Sequence, residues 1–168
     1  MIEFRHVSFS YDLRGEQEDI RKKDSLHDIN LKVNDGECVL LCGKSGCGKT
    51  TITRLVNGLV PNFYTGKLTG EVLLDGRNIS EMPIYEVASH VGSVFQNPRT
   101  QFFNMDTDSE IAFGLENLAL PRKQIEEKVA STAKDLEIEN LLKRNIFSLS
   151  GGEKQKIAFA SVYAMSPS

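Results

Sequence analysis

The segment that most constrains the fold of this chain is a loop with the sequence Gly-Lys-Ser-Gly-Cys-Gly-Lys-Thr at positions 43–50. It satisfies the pattern G-x-x-x-x-G-K-[ST], which lies between a strand and the start of a helix. The apolar run at 38–42 predicts a buried strand that leads into the loop. After the loop, apolar residues recur at i, i+3, i+4 and i+7 and predict one face of a helix: Ile52, Leu55, Val56 and Leu59.

The residue types in this phosphate loop (43–50) fit the binding of a polyphosphate. Glycines lack Cβ, so backbone N–H groups can close around phosphate oxygens, and the helix N-terminus adds partial positive charge. Lys49 is placed to reach the β- and γ-phosphates, and the Thr50 hydroxyl is placed to ligate Mg²⁺. We therefore predict that the chain binds a nucleoside triphosphate.

Bulk properties narrow the class of protein. The chain has 168 residues, 40% of them hydrophobic and 26% charged, as expected for one compact globular domain. A net charge of -3 gives no reason to expect nucleic acid as a partner. No apolar stretch approaches the ~20 residues of a membrane span, and Met1–Phe4 does not begin a signal peptide. Cys38, Cys42 and Cys47 are expected to be reduced, as in the cytosol.

Periodicity divides the rest of the chain into a β-rich part and a helical part. Alternation predicts strands at 2–11, with one break in register, and at 26–33. Short strands are also predicted at 70–76 and 91–95. The remaining assignments are a charged exposed hairpin loop at 12–25, a turn at 34–36 and a loop at 61–69.

The helical part is marked by helix-start signals. Thr107 with Glu110 predicts a capping box, and Pro121 fits the first turn of the next helix. The buried stripe of that second helix is predicted to be Ile125, Val129, Ala133 and Leu136. A further capping box, Ser150 with Glu153, precedes a helix of small residues at 154–164.

The segment Leu149–Lys156, Leu-Ser-Gly-Gly-Glu-Lys-Gln-Lys, predicts a second anion site. Gly151 and Gly152 expose backbone N–H groups at a helix start capped by Ser150, so the helix dipole points at whatever binds there. A plain capping box without a ligand is the alternative interpretation.

Together these motifs resemble the nucleotide-binding domain of an ATP-binding cassette (ABC) transporter. The segment 149–153 resembles the signature motif of that family, Gln96 its Q-loop glutamine and Tyr11 its adenine-stacking aromatic residue. Residues 95–98 and 111–118 resemble the energy-coupling factor ATPases of cobalt and vitamin uptake. The resemblance implies an α/β fold: a P-loop NTPase core with an antiparallel β subdomain (core, 1–95), a helical subdomain (96–150) and a signature helix (151–168), truncated before the Walker B strand.

The resemblance also implies a role for each matching position. Lys49 and Gln96 would be the residues nearest to catalysis, Thr50 and Gln96 would ligate Mg²⁺, and Ser150, Gly151, Gly152 and Glu153 would contact ATP held by a partner subunit. Tyr11 and Gln96 have plainer alternatives, as a strand aromatic residue and a polar strand end. The residues implied to bind the nucleotide are Tyr11, Gly43, Lys44, Ser45, Gly46, Cys47, Gly48, Lys49, Thr50, Thr51 and Gln96.

The implied partners are a second ATPase subunit, in a head-to-tail dimer, and a transmembrane transporter component. The implied location is cytoplasmic, at the inner face of the cell membrane. The charged loop at 12–25 is interpreted as solvated surface.

The sequence departs from the family pattern after Gly151. No apolar run ending in Asp-Glu follows, and none of His6, His27 and His90 fits the switch histidine. Phe159, Ser161 and Tyr163 replace small or basic residues of the signature helix. We expect either the N-terminal part of a longer ATPase or a domain completed by another chain, with negligible ATP hydrolysis by these residues alone.

Three other functions were considered, and two of them are disfavoured by the sequence. The chain could be a nucleotide-dependent dimerisation module without turnover. A DNA-repair or chromosome-type ATPase is disfavoured because 51–149 has no sustained heptad repeat. A small P-loop kinase is disfavoured because it has no use for a second anion site.

Overall fold

The computed structural model describes residues 1–12 and 25–167, and the predicted charged loop at 12–25 lies almost entirely outside them. The chain divides into two units, Met1–Val91 and Gly92–Ser168. The strands of the first unit are β1 (Ile2–Tyr11), β2 (Leu26–Val33), β3 (Gly66–Leu74) and β4 (Arg77–Asn78). Its helices are α1 (Lys49–Val56), α2 (Leu59–Asn62) and α3 (Ile84–His90), and those of the second unit are α4 (Thr107–Asn117), α5 (Arg122–Asp135) and α6 (Gly151–Ala164). Within the described residues, no helix is both long and apolar enough to cross a membrane.

The first unit is built on an antiparallel sheet in the order β2-β1-β3-β4. Alternation along β1 places Phe4, Val7 and Phe9 in the core, where Leu55 of α1 and Val87 of α3 join them. The predicted strands at 2–11 and 26–33 are confirmed, and the turn at 34–36 is closed by the bond from Glu37 N to Asn34 O. β3 begins at Gly66, so the predicted loop at 61–69 is wrong at both ends, since α2 extends through Asn62.

The predicted break in register along β1 is a bulge. His6 has a φ of 49° and the facing Asp28 a φ of 46°, and both strand pairings of β1 shift register around His6. Gly70 of β3 faces the bulge with a φ of +80°, and a Cβ there would lie 2.3 Å from the carbonyl oxygen of His6. Glycine at position 70 therefore permits the close approach of the two backbones.

The predicted buried strand at 38–42 is wrong in this structure. These residues form no strand, and Leu40 is 84% exposed. A parallel strand is buried only when neighbouring strands and helices cover both of its faces. In the part of the chain that the structure describes, no strand pairs with this segment, and Val39 and Leu40 are exposed.

Two further assignments near the first unit's boundary need correction. Residues 91–95 also lack strand pairing, and Phe95 is 48% exposed. The helix after the phosphate loop ends at Val56, and Leu59 belongs to the short α2 instead. Gly58, with a φ of +72°, lies between them and ends the regular helix because a left-handed residue cannot continue it.

The second unit is a helical layer in which α4 and α5 pack against α6. Pro121 immediately precedes α5, and Val129 and Ala133 are buried, as the predicted stripe requires. α6 starts at Gly151, earlier than the start at 154 that the run of small residues predicted. The core of this unit contains Ile111, Ala112, Leu115, Val129, Ala133, Ile138, Leu141, Leu149, Ile157, Ala160 and Ala164.

The predicted capping box at Thr107 is wrong by one residue. Asp106 caps α4 by accepting from the backbone N–H of Ser109, whereas the Thr107 hydroxyl donates to Leu141 O at 2.8 Å. Glu110 instead accepts from the backbone N–H groups of Phe103 and Asn104 at 3.0 and 2.8 Å. Its carboxylate is buried and ties the segment before α4 to that helix.

Candidate nucleotide-binding site

The phosphate loop joins the segment 38–42 to the first turn of α1. Gly48, the residue before the helix, has a φ of +96°, and a Cβ there would lie 2.6 Å from Ser25 O. Only glycine fits both the left-handed backbone and this close approach. Residues 43–47 are exposed, so the loop is open to a ligand.

The start of α1 has the electrostatics of an anion site. Within the described residues, no side chain caps this helix, and its first turn contains no acidic residue. The first N–H groups of a helix have no partner inside it, and the helix dipole makes this end positive. The amides of Lys49, Thr50 and Thr51 are therefore available to a negatively charged ligand.

The Lys49 side chain turns back across the loop. Its ammonium donates to the carbonyl oxygens of Gly43 and Lys44, each at 2.8 Å, and lies 3.5 Å from the Cys47 sulfur. These acceptors are neutral, whereas phosphate oxygens are charged and form stronger bonds with an ammonium. The positive charge is held at the centre of the loop and can be redirected to phosphate without unfolding it.

Tyr11 lies beside the beginning of α1. Its hydroxyl is 3.2 Å from the Thr51 hydroxyl, and Arg54 donates to it at 3.1 Å. The ring of Tyr11 packs edge-on against Phe9, with centroids 4.7 Å apart. The structure thus brings together Tyr11, Thr51 and the phosphate-loop helix, three parts that the sequence placed in one site.

The signature segment caps α6 as predicted. The Ser150 hydroxyl accepts from Glu153 N at 3.4 Å, and the Glu153 carboxylate accepts from Ser150 N at 2.7 Å, so the capping box is confirmed. Arg144 forms an ion pair with Glu153 at 3.1 Å. The hydrogen bond from Ser150 N, reinforced by Arg144, holds the pKa of the Glu153 carboxyl below its usual value.

Gly151 and Gly152 are exposed, and a Cβ added to either would meet no atom within 4 Å. Lys154 is buried and donates to Leu149 O at 2.8 Å and Phe147 O at 3.4 Å. These bonds tie the segment before α6 to the helix, while Gly151 and Gly152 are open to solvent. The alternative of a plain capping box is compatible with the same geometry.

Gln96 lies in the second unit on an exposed segment that ends in the short turn Pro98–Thr100. The neighbouring Phe95 N–H donates to the Gln101 side chain at 3.2 Å, and Asn97 accepts from Arg99 N at 3.1 Å. These bonds shape the segment around Gln96 while its own side chain is exposed. Its predicted role in metal binding stays a prediction, as do the roles of Thr50 and the signature residues.

Sequence reasoning missed Arg54, Tyr64, Arg144 and Lys154. The helical spacing from Thr51 to Arg54 puts both on one face of α1, which was an available signal. Lys154 precedes Ile157 and Ala158 by three and four positions, so it falls on the buried face of its helix. Tyr64 gave no signal, because its contact with Arg54 depends on the fold.

A family model described as "ABC transporter" matches residues 26–168. The chain belongs to the ABC transporter family. A putative ABC transporter ATP-binding protein of Treponema denticola is 56% identical over 167 residues, which are 99% of this chain and 33% of that protein. The putative HMP/thiamine import ATP-binding protein YkoD of Bacillus subtilis is 39% identical over 168 residues, 99% of this chain and 29% of its own length.

A solved ABC protein has the same fold. The structure of cbiO1 from Clostridium perfringens, described as part of the ABC transporter complex cbiONQ, matches with a TM-score of 0.81 and 27% identity over 99% of this chain and 62% of its own. The predicted α/β P-loop NTPase fold is confirmed. The chain spans about a third of the length of these two curated relatives.

Proposed function

We propose that this chain is the ATP-binding part of an ABC-type uptake transporter and holds Mg²⁺·ATP at the phosphate loop. The observation that carries the proposal is the uncapped start of α1, where Lys49 is already held across the loop by two carbonyl oxygens at 2.8 Å. An anion bound at this helix start interacts favourably with the helix dipole, with the backbone amides of the first turn and with the Lys49 ammonium.

Each residue has a chemical task in this proposal. Lys49 exchanges the Gly43 and Lys44 carbonyl oxygens for the β- and γ-phosphates. The exposed Thr50 hydroxyl would ligate Mg²⁺, because oxygen donors suit this hard cation. Mg²⁺ supplies charge neutralisation between the phosphates when it is bound.

Ser150, Gly151 and Gly152 would contact ATP held by a second ATPase subunit. Their exposure, and the open space around the glycines, support this role. The carboxylate of Glu153 would oppose an incoming phosphate, but its ion pair with Arg144 offsets that charge. A head-to-tail dimer would thus share two nucleotide sites.

An apolar surface of the second unit would receive a membrane component. Phe103 is 76% exposed and stacks on Phe113 with centroids 4.8 Å apart, and Glu110 holds the Phe103 backbone in place. Phe113 is half-buried, so the exposed ring of Phe103 rests on a fixed aromatic base, and exposed aromatic side chains are enriched at protein interfaces. The name of YkoD, a putative import ATP-binding protein, supports uptake, and the description of cbiO1 as part of the ABC transporter complex cbiONQ supports assembly with a transporter. We propose uptake of the energy-coupling factor type at the cytoplasmic face of the membrane.

Negligible ATP hydrolysis by these 168 residues alone stays a prediction. Steady phosphate release by the purified chain that is abolished in Lys49→Ala would contradict it.

The binding proposal is tested by titrating the 168-residue chain with Mg²⁺·ATP in a calorimeter. We expect Lys49→Ala to weaken binding about tenfold to 100-fold, because a charge-assisted hydrogen bond is lost. The control is Lys32→Ala, an exposed lysine of β2, which should bind as the unmodified chain does. Equal affinities for the two variants would refute the proposal.

A second candidate is a nucleotide-dependent dimerisation module without turnover, favoured by the open glycines at the start of α6. Because a Cβ at Gly152 meets no atom within 4 Å, the Gly152→Glu variant should fold normally. Its added carboxylate should keep phosphate away from the second anion site at the start of α6. We expect ATP to dimerise the unmodified chain and not this variant, as measured by sedimentation. Dimers independent of ATP would contradict this candidate.

A further inference from the structure

Arg54 connects two tyrosines that lie at the edge of the phosphate-loop helix. Its guanidinium donates to the Tyr11 hydroxyl at 3.1 Å and lies 3.8 Å from the centroid of the Tyr64 ring. The two rings stand edge to face, with centroids 6.2 Å apart. Arg54 is half-buried, so its hydrogen bond is partly shielded from water.

The orientation of the Tyr11 ring is fixed from several sides. Phe9 packs on its edge, the Thr51 hydroxyl lies 3.2 Å from its hydroxyl, and Arg54 donates to the same oxygen. Opposite Tyr11 on β3 is Gly66, where a Cβ would lie 2.7 Å from the Phe9 ring. An aromatic ring that stacks on a ligand loses less entropy on binding when it is already held in place.

We propose that Arg54, supported by Tyr64, is a positioning residue for the nucleotide base, because it holds the Tyr11 ring in the orientation against which a purine stacks. The inference rests on the proposed function, ATP binding at the phosphate loop, and on the adenine-stacking role of Tyr11 that the resemblance implies. In this proposal Arg54 of α1 acts on the base only through Tyr11 and does not bind the phosphates.

A different explanation for Arg54 is purely structural. It lies in the last turn of α1, where a cation complements the negative end of the helix dipole. That role would affect the helix, and hence binding of the phosphates, as much as binding of the base. The two explanations therefore differ in which part of the nucleotide loses affinity.

The test compares two ligands, Mg²⁺·ATP and Mg²⁺·tripolyphosphate, on the 168-residue chain. We expect Arg54→Met to lower the affinity for ATP about threefold to tenfold, which is the effect of losing one hydrogen bond. The affinity for tripolyphosphate should change by less than about twofold. Tyr11→Phe, which keeps the ring and removes the hydroxyl, should reproduce this pattern. The double variant should lose little more than either single one, because both changes remove the same bond.

Arg77→Met is the matched control, since it removes an exposed arginine and its ion pair with Glu86 in the same unit. It should leave both affinities unchanged. Arg54→Met that binds ATP normally, or loses ATP and tripolyphosphate equally, would overturn the inference while the proposed function stands. An unmodified chain that binds neither ligand would overturn both.

Discussion

At the residue scale, position 48 requires glycine for two reasons, its left-handed backbone and the close approach of other atoms, and an experiment can separate them. Its backbone is left-handed, and a Cβ would lie 2.6 Å from Ser25 O and 2.7 Å from a methyl carbon of Leu26. Gly36 has a similar φ of +75° but no atom within 4 Å of its Cβ position.

We therefore expect Gly48→Ala to be more destabilising than Gly36→Ala. The left-handed backbone costs both variants about 1–2 kcal/mol, and the steric overlap adds about 1–3 kcal/mol at Gly48 alone. Urea unfolding of the two variants gives the comparison. Equal losses would mean that the loop relaxes away from Ser25.

Lys154 of α6 is buried, and its ammonium is the donor to two backbone carbonyl groups. We expect Lys154→Met to lower the free energy of unfolding by about 1–3 kcal/mol, because the carbonyl oxygens of Leu149 and Phe147 lose that donor. Lys156→Met, an exposed position two residues along α6, should stay within about 0.5 kcal/mol of the unmodified chain. Denaturant midpoints measure both, and a similar small effect would show that water replaces the ammonium.

At the scale of elements, the start of α6 should give the protein a distinct acid response. The pKa of Glu153 is lowered in the folded chain, so its stabilising effect is complete above the ordinary glutamate pKa of about 4.3 and disappears as the pH falls through the folded value. Glu153→Gln removes this charge at every pH.

We expect the unmodified chain to be more stable than Glu153→Gln at pH 7, and the difference to shrink once the pH drops below about 4.3. Urea unfolding of both proteins between neutral and acid pH measures it. A difference that grows on acidification would mean that the carboxyl is favoured in its protonated form.

The apolar sequence of segment 38–42 suggests that truncating its side chains would be destabilising, but their exposure in the structure predicts a small effect. Leu40 is 84% exposed, whereas Leu55 of α1 is 1% exposed. Leu40→Ala should change the free energy of unfolding by less than about 0.5 kcal/mol, and Leu55→Ala should cost about 2–5 kcal/mol. A large loss at Leu40 would show that this segment is buried in solution, for instance in an assembly.

At the scale of the whole molecule, the features that sequence predicted well are local ones. The capping box of Ser150 and Glu153 depends on four consecutive residues, and the alternation along β1 depends on one strand. The phosphate loop is likewise specified by its own glycines and lysine. Patterns of this kind need no knowledge of distant partners.

The features that the sequence did not predict depend on contacts with residues that are distant along the chain. Residues 38–42 have the composition of a buried strand, but a strand forms only when another strand pairs with it. Arg54 joins Tyr11 and Tyr64, which are separated from each other by more than forty positions, so no local pattern indicates the contact. The cap of α4 moved from Thr107 to Asp106 because the Thr107 hydroxyl is bonded to Leu141 O.

The whole account depends on a triphosphate lying against the first turn of α1. Backbone amide chemical shifts of the isotope-labelled chain, recorded with and without Mg²⁺·ATP, locate the ligand residue by residue. We predict that the largest changes fall on residues 43–51 and that they vanish in Lys49→Ala. Unchanged amides in that loop at saturating ATP, or changes confined to another surface, would contradict the account.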